Sequence, residues 1–174
     1  MNNFEIAKAG VLLACKLLEI KKIKVEFMDR DLFPYEEINA LFLKEKFVIV
    51  FNKDWLLNAK YLDILYTSFH EARHAYQYLQ IIKKSSPKLI EDEDVINIWS
   101  KEFNEYIQPN QHFDTKYIHT NIEIDAIAFS KFLLSEIFNA DLLVPRDIIT
   151  KVDKRIEDIK RIDILVKHIN LILN

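Results

Sequence analysis

The sequence predicts an α+β fold, mostly helical. A small antiparallel or mixed sheet packs on a helix carrying His-Glu-x-x-His, and a second, buried helix carries a glutamate. Three observations lead there. One glycine and four prolines in 174 residues leave few points that break a helix, which argues against a turn-rich β fold. Apolar residues recur at intervals of three and four through residues 4–20, 60–83 and 149–172. Three short segments, 23–27, 40–43 and 47–51, are instead alternating or continuously apolar, as strands are.

Taken in order, Phe4, Ala7, Val11, Ala14, Leu17 and Leu18 give the first helix its apolar face, and Lys21-Lys22 end it. Ile23, Val25 and Phe27 alternate with Lys24 and Glu26 in a half-buried strand. Asp29 to Glu37, with Pro34, is a loop. Ala40–Leu43 and Phe47–Phe51 are two strands joined by Lys44-Glu45-Lys46, short enough for a hairpin although it lacks Asn-Gly. Asp54 is placed to cap a short helix carrying Trp55, Leu56 and Leu57.

The motif helix, about 60–83, buries Leu62, Leu65, Phe69, Ala72, Tyr76 and Leu79, and Ser85-Ser86-Pro87 stops it. Thr67, His70, His74, Gln77 and Ile81 form the adjacent stripe, so the histidines lie at the edge of the buried face. Glu91-Asp92-Glu93-Asp94 opens the next apolar pattern, Val95, Ile98, Trp99, Phe103 and Tyr106, where acidic groups complement a helix dipole. Gln108 to His119 is a polar, aromatic loop. Residues 121–138 are apolar almost all round, which predicts a buried helix. Pro145 opens a last helix, read as continuous to about 172, whose stripe of Ile149, Val152, Ile156, Ile159, Ile162, Val166, Ile169 and Leu173 packs on the domain or on a second copy as a homodimer. With no linker and no repeat, residues 1–174 read as a single domain.

Composition narrows the function. Half the residues are hydrophobic, which excludes a disordered chain, and the net charge of −3 argues against a non-specific nucleic-acid binder. Cys15 is the lone cysteine, so neither an intrachain disulfide nor a cysteine-rich zinc ribbon can form. No apolar run is long enough to span a membrane. The apolar stretch Gly10 to Ala14 is bracketed by Lys8, Lys16 and Glu19 too tightly for a signal peptide, and the expected location is the cytoplasm.

The chemistry sits in Phe69-His70-Glu71-Ala72-Arg73-His74. Residues four apart on a helix share a face, so His70 and His74 can hold one Zn²⁺ between two neutral imidazoles. Glu71 is then beside the first ligand, placed to act as a general base. The plainer alternative is a core-edge helix with two ordinary histidines. A catalytic zinc needs a third protein ligand. Glu123 and Asp125 are carboxylates on an otherwise apolar helix, costly there unless paired or metal-bound. Glu123 is the favoured ligand. Asp125 is the alternative, or accepts the far ring N–H of a histidine ligand. Thr120-x-x-Glu123 also fits a capping box, with Asn121 as another cap.

His70-Glu71-x-x-His74 followed by Glu123-x-x-Ala126, with Phe129 three further on, resembles the gluzincin branch of the zincin metallopeptidases, over about residues 20–138. The resemblance implies a minimal zincin-like metallopeptidase domain in which His70, His74 and Glu123 bind zinc and Glu71 is the catalytic base in peptide hydrolysis. One departure is Ile127, where many such proteins carry aspartate one turn after the ligand; Asp125 is the residue to take over that orienting role. Gln77 and Gln80 stand where a metzincin has glycine and histidine. His112 and His119 keep a histidine third ligand open, as in SprT-like proteases. Tyr117 and His119 are candidate stabilisers of the oxyanion, and the edge formed by 40–43 or 47–51 can receive a peptide or protein substrate as an added strand. Two further readings stay open: a non-catalytic zinc-binding interaction domain, and a regulatory protease of a mobile element that cuts one partner protein.

Overall fold

Asn2 begins the first element. Its side chain accepts the Glu5 amide while the Glu5 carboxylate accepts the Asn2 amide, a capping box that opens helix α1 (Asn3–Leu17). The computed structural model describes residues 1–35, 37–86, 88–104 and 117–173. The Gln108–His119 loop, short of its last three residues, lies outside these, as do His112, Tyr106 and Pro87.

β1 (Lys24–Met28), β2 (Ala40–Leu43) and β3 (Val48–Asn52) form a mixed sheet in the order β1-β3-β2. β1 runs parallel to β3, and β2 antiparallel to it. The hairpin is therefore present. Phe47 takes the left-handed conformation, φ 51°, that Asn-Gly would otherwise supply. β3 lies in the middle, which removes 47–51 as a substrate edge and leaves β2. Ile49 and Phe51 face the main core; Val48 and Val50 join Phe33 in a smaller cluster on the other side.

Asn52, not Asp54, caps α2 (Lys53–Asn58), accepting the amides of Asp54 and Trp55. The motif helix α3 (Tyr61–Ile81) lies against α1. The lone glycine permits that approach, because a Cβ at Gly10 would stand 2.8 Å from Ser68 Cβ. α4 (Glu93–Asn104) carries Glu93 and Asp94 in its first turn, as the dipole argument requires. The buried helix α5 (Asn121–Phe138) packs along α3 and ends at Asn139 in the left-handed conformation.

The continuous C-terminal helix is not what forms. α6 (Ile149–Lys160) closes with i→i+3 bonds from Arg161 to Asp158 and from Ile162 to Ile159, and α7 (Asp163–Leu173) starts afresh. Val152, Ile159, Leu165 and Ile169 are all buried in the main core, so both halves apply their apolar stripe to this chain. Among the described residues no helix is long and apolar enough to cross a membrane.

Candidate metal centre

α3 and α5 bring His70, His74 and Glu123 together. His70 Nε2 and His74 Nε2 are 3.0 Å apart; His70 Nε2 is 3.2 Å from Glu123 Oε2, and His74 Nε2 is 3.2 Å from Glu123 Oε1. A tetrahedral zinc with arms of 2.0–2.1 Å separates its ligand atoms by roughly 3.3 Å. The two imidazole nitrogens and the Glu123 carboxylate therefore cluster near that spacing, each nitrogen facing a different carboxylate oxygen. Glu123 Oε1 is buried, with His74 Nε2 3.2 Å away as its polar neighbour. Two imidazoles and a carboxylate fit a zinc with one position left open.

Glu123 is free to point at the histidines because it does not cap its helix. The α5 amides of Asn121 and Ile122 are taken by Glu102, reaching across from α4 at 3.0 and 2.9 Å. The capping-box alternative does not form: the Thr120 side chain makes no cap bond, and its amide and hydroxyl both donate to the Tyr117 carbonyl. Burial opposes charge on Glu123, but His74 and His70 more than compensate and hold its pKa well below the usual carboxylate range. Burial likewise opposes a proton on His74, yet Glu123 beside it raises the pKa to about 9.

Glu71 is buried next to this group. Burial raises its pKa above the ordinary value, with His74 and His70 pulling the other way. The Phe42 amide donates to its carboxylate. Strand pairing explains that contact. The Asn52 amide bonds Asn39, so by alternation Leu41 and Leu43 face β3 while Ala40 and Phe42 turn their backbone groups to the open edge. The open edge of β2 and the candidate base thus meet.

Asp125 lies outside the group of His70, His74 and Glu123 and bonds to other residues. Its Oδ1 accepts from Arg73 and Arg155 at 2.9 and 2.7 Å, and its Oδ2 from Arg73 and Gln77 at 2.8 and 2.6 Å. Four donors fill its lone-pair sites. His119 turns away to Asp147, 3.0 Å distant. Tyr117 is half-buried in the 3-10 turn before α5, its carbonyl accepting from Thr120.

Several contributors escaped the sequence reading. Tyr66, one turn before His70, sets its ring 5.7 Å from the imidazole, and burial together with Glu123 and Glu71 raises its phenol pKa. Glu91 belongs to a buried ionic group instead of acting only on the α4 dipole: Oε1 meets Arg73 and Oε2 meets Arg155, each at 2.8 Å. The guanidinium of Arg73 lies 4.3 Å from the Tyr76 ring centre and 5.1 Å from that of Phe129. One signal was available: Arg73 falls on the core face of α3, four residues after Phe69 and three before Tyr76, where a charge requires partners.

Comparison with family models, with curated proteins and with solved structures finds no match to this chain.

Proposed function

We propose that the chain is a zinc-dependent peptidase of the gluzincin type, with His70, His74 and Glu123 holding the metal and Glu71 moving the proton. The carrying observation is that two helices bring His70 Nε2, His74 Nε2 and the two Glu123 oxygens to 3.0–3.2 Å from one nitrogen to the other and from each nitrogen to one oxygen, with a buried glutamate one residue after the first histidine. When bound, zinc lowers the pKa of a coordinated water and polarises a carbonyl. The chain's own groups do the rest. The Glu71 carboxylate accepts a proton from the attacking water and delivers it to the leaving amine. Its raised pKa suits that exchange, because a base nearer neutrality gives the proton back more readily. The substrate peptide lies along the open edge of β2, where Ala40 and Phe42 turn their backbone groups outward and the Phe42 amide already meets Glu71. The Tyr66 phenol, packed on His70, is the nearby hydroxyl that supports a role in steadying the oxyanion.

The test separates metal from chemistry. Purified protein offered zinc at neutral pH should hold one zinc per chain, and His74→Ala should not. Glu71→Gln should keep the zinc yet lose hydrolysis of a peptide library by about two to four orders of magnitude, the scale of a general base. Wild-type protein without zinc overturns the metal reading; full activity in Glu71→Gln overturns the mechanism.

A further inference from the structure

The two histidines are held differently at their far ring nitrogens. Among the described residues His70 Nδ1 has no hydrogen-bond partner, whereas His74 Nδ1 lies 2.9 Å from Gln77 Oε1. Which way that amide faces is fixed by its other end. Gln77 Nε2 points at two groups that only accept, the Ile122 carbonyl at 2.9 Å and Asp125 Oδ2 at 2.6 Å. Turning the amide over would set its oxygen against both of them. The nitrogen must therefore face α5, and the oxygen must face His74. An amide oxygen accepts, so His74 Nδ1 must carry a proton, and its Nε2 lone pair is left for the metal.

Asp125 is itself immobilised. Arg73 grips it with two donors, Arg155 adds a third, and the same two arginines close on Glu91. Arg155 comes from α6, far outside the motif region. Its guanidinium also lies 5.6 Å from the centre of the Trp99 ring, which fixes it on a second side.

We propose that Gln77 is the positioning residue that locks His74 in its metal-binding tautomer, and that Asp125 with its two arginines sets Gln77, so that α6 is part of the metal centre. This rests on the zinc reading of His70, His74 and Glu123. It differs from the expectation that Asp125 would orient a histidine directly: the carboxylate acts through one intervening amide. That explains how Ile127 can occupy the place of an orienting aspartate, because the orienting group on this chain comes from α3 itself, three residues after the ligand.

The experiment uses the full chain and zinc alone, with affinity measured by competition against a chromophoric chelator. Gln77→Met keeps the side-chain volume and removes the acceptor. Its zinc affinity should fall 10- to 100-fold, the usual cost of losing a partner behind a histidine ligand. Arg155→Lys keeps the charge but loses the fork, and should weaken zinc measurably while leaving His70, His74 and Glu123 intact. A second measurement needs no variant. In zinc-loaded wild type, the ¹⁵N shifts of His74 should show Nδ1 protonated and Nε2 on the metal. Coordination through Nδ1, or Gln77→Met binding zinc within twofold of wild type, overturns the proposal and leaves the zinc site standing. Wild-type protein that binds no zinc removes both.

Discussion

Glu123 and Asp125 sit two residues apart, both buried and both held below the ordinary carboxylate range, and their partners give them different work. Burial disfavours each charge. His74 and His70 stabilise it on Glu123, while Arg73 and Arg155 stabilise it on Asp125. The partners of Asp125 are permanent cations; those of Glu123 titrate and exchange for a metal, which has a consequence for pH. In metal-free protein His74 has a pKa of about 9 against an ordinary 6.5, so protonated His74 beside Glu123 stabilises the fold fully below about pH 6.5. That contribution is lost as pH rises through 9. Glu123 is depressed, so its contribution is present above its ordinary 4.5 and is lost as pH falls toward its folded value. Chelator-treated protein should therefore have its highest urea midpoint between about pH 4.5 and 6.5, declining by pH 9.5. Zinc affinity should run the other way and rise up to about pH 9, because the metal must displace the His74 proton. A midpoint that climbs from pH 6.5 to 9.5 contradicts this account.

At the level of elements, α5 is the one whose start decides the site. Its first free amides are served by Glu102 from α4, 19 residues earlier in sequence, so Glu123 need not fold back on its own helix. Glu102→Ala should cost about 1 kcal/mol, the worth of a cap, and Glu102→Gln less, since one amide oxygen still accepts. Urea unfolding measures both, and an unchanged midpoint in Glu102→Ala refutes the capping role. This is also where sequence reasoning reached its limit. The periods of α1 and α3 and the all-round apolarity of α5 were plain, as were the strand segments and the candidates His70, Glu71, His74 and Glu123, because each signal lies within one element or on one helical face. Glu102 and Arg155 were not legible, because their partners lie across loops and a cap or ion pair between elements leaves no local pattern. The break between α6 and α7 was hidden because Ile162 continues the spacing of three from Ile159, so the apolar period runs straight through it. Asp125 was legible as a costly buried charge; its true partners became visible only when Arg73, on the core face of α3, and Arg155 met it.

For the whole molecule, the candidate metal site ties together parts that are far apart in sequence. Two of the proposed ligands come from α3 and one from α5, and Arg155 of α6 reaches Asp125 behind them. α3 in turn packs on α1 and β2, so the helix that carries the histidines is also the helix against which most of the fold is assembled. An unfolded chain cannot hold a Glu and two His this close, so on the proposed reading zinc would bind the native state almost alone, and its binding free energy would add to folding. At free zinc one hundred times its dissociation constant the gain is about 2.7 kcal/mol. For a domain of this size each kcal/mol moves the midpoint by about 2–4 °C, so saturating zinc should raise the melting temperature by roughly 5–11 °C. Because the third ligand belongs to a different helix, Glu123→Gln should lose most of that rise while its metal-free melting temperature stays close to that of wild-type apoprotein at pH 9.5, where His74 has largely given up its proton and the ion pair with Glu123 is already weakened. Gln77→Met should lose a smaller part, in proportion to its weaker zinc affinity. Differential scanning calorimetry with and without zinc reads all three proteins. A zinc-induced rise of equal size in wild type and Glu123→Gln would mean that the metal is held within α3 alone, and that α5 contributes packing but no ligand.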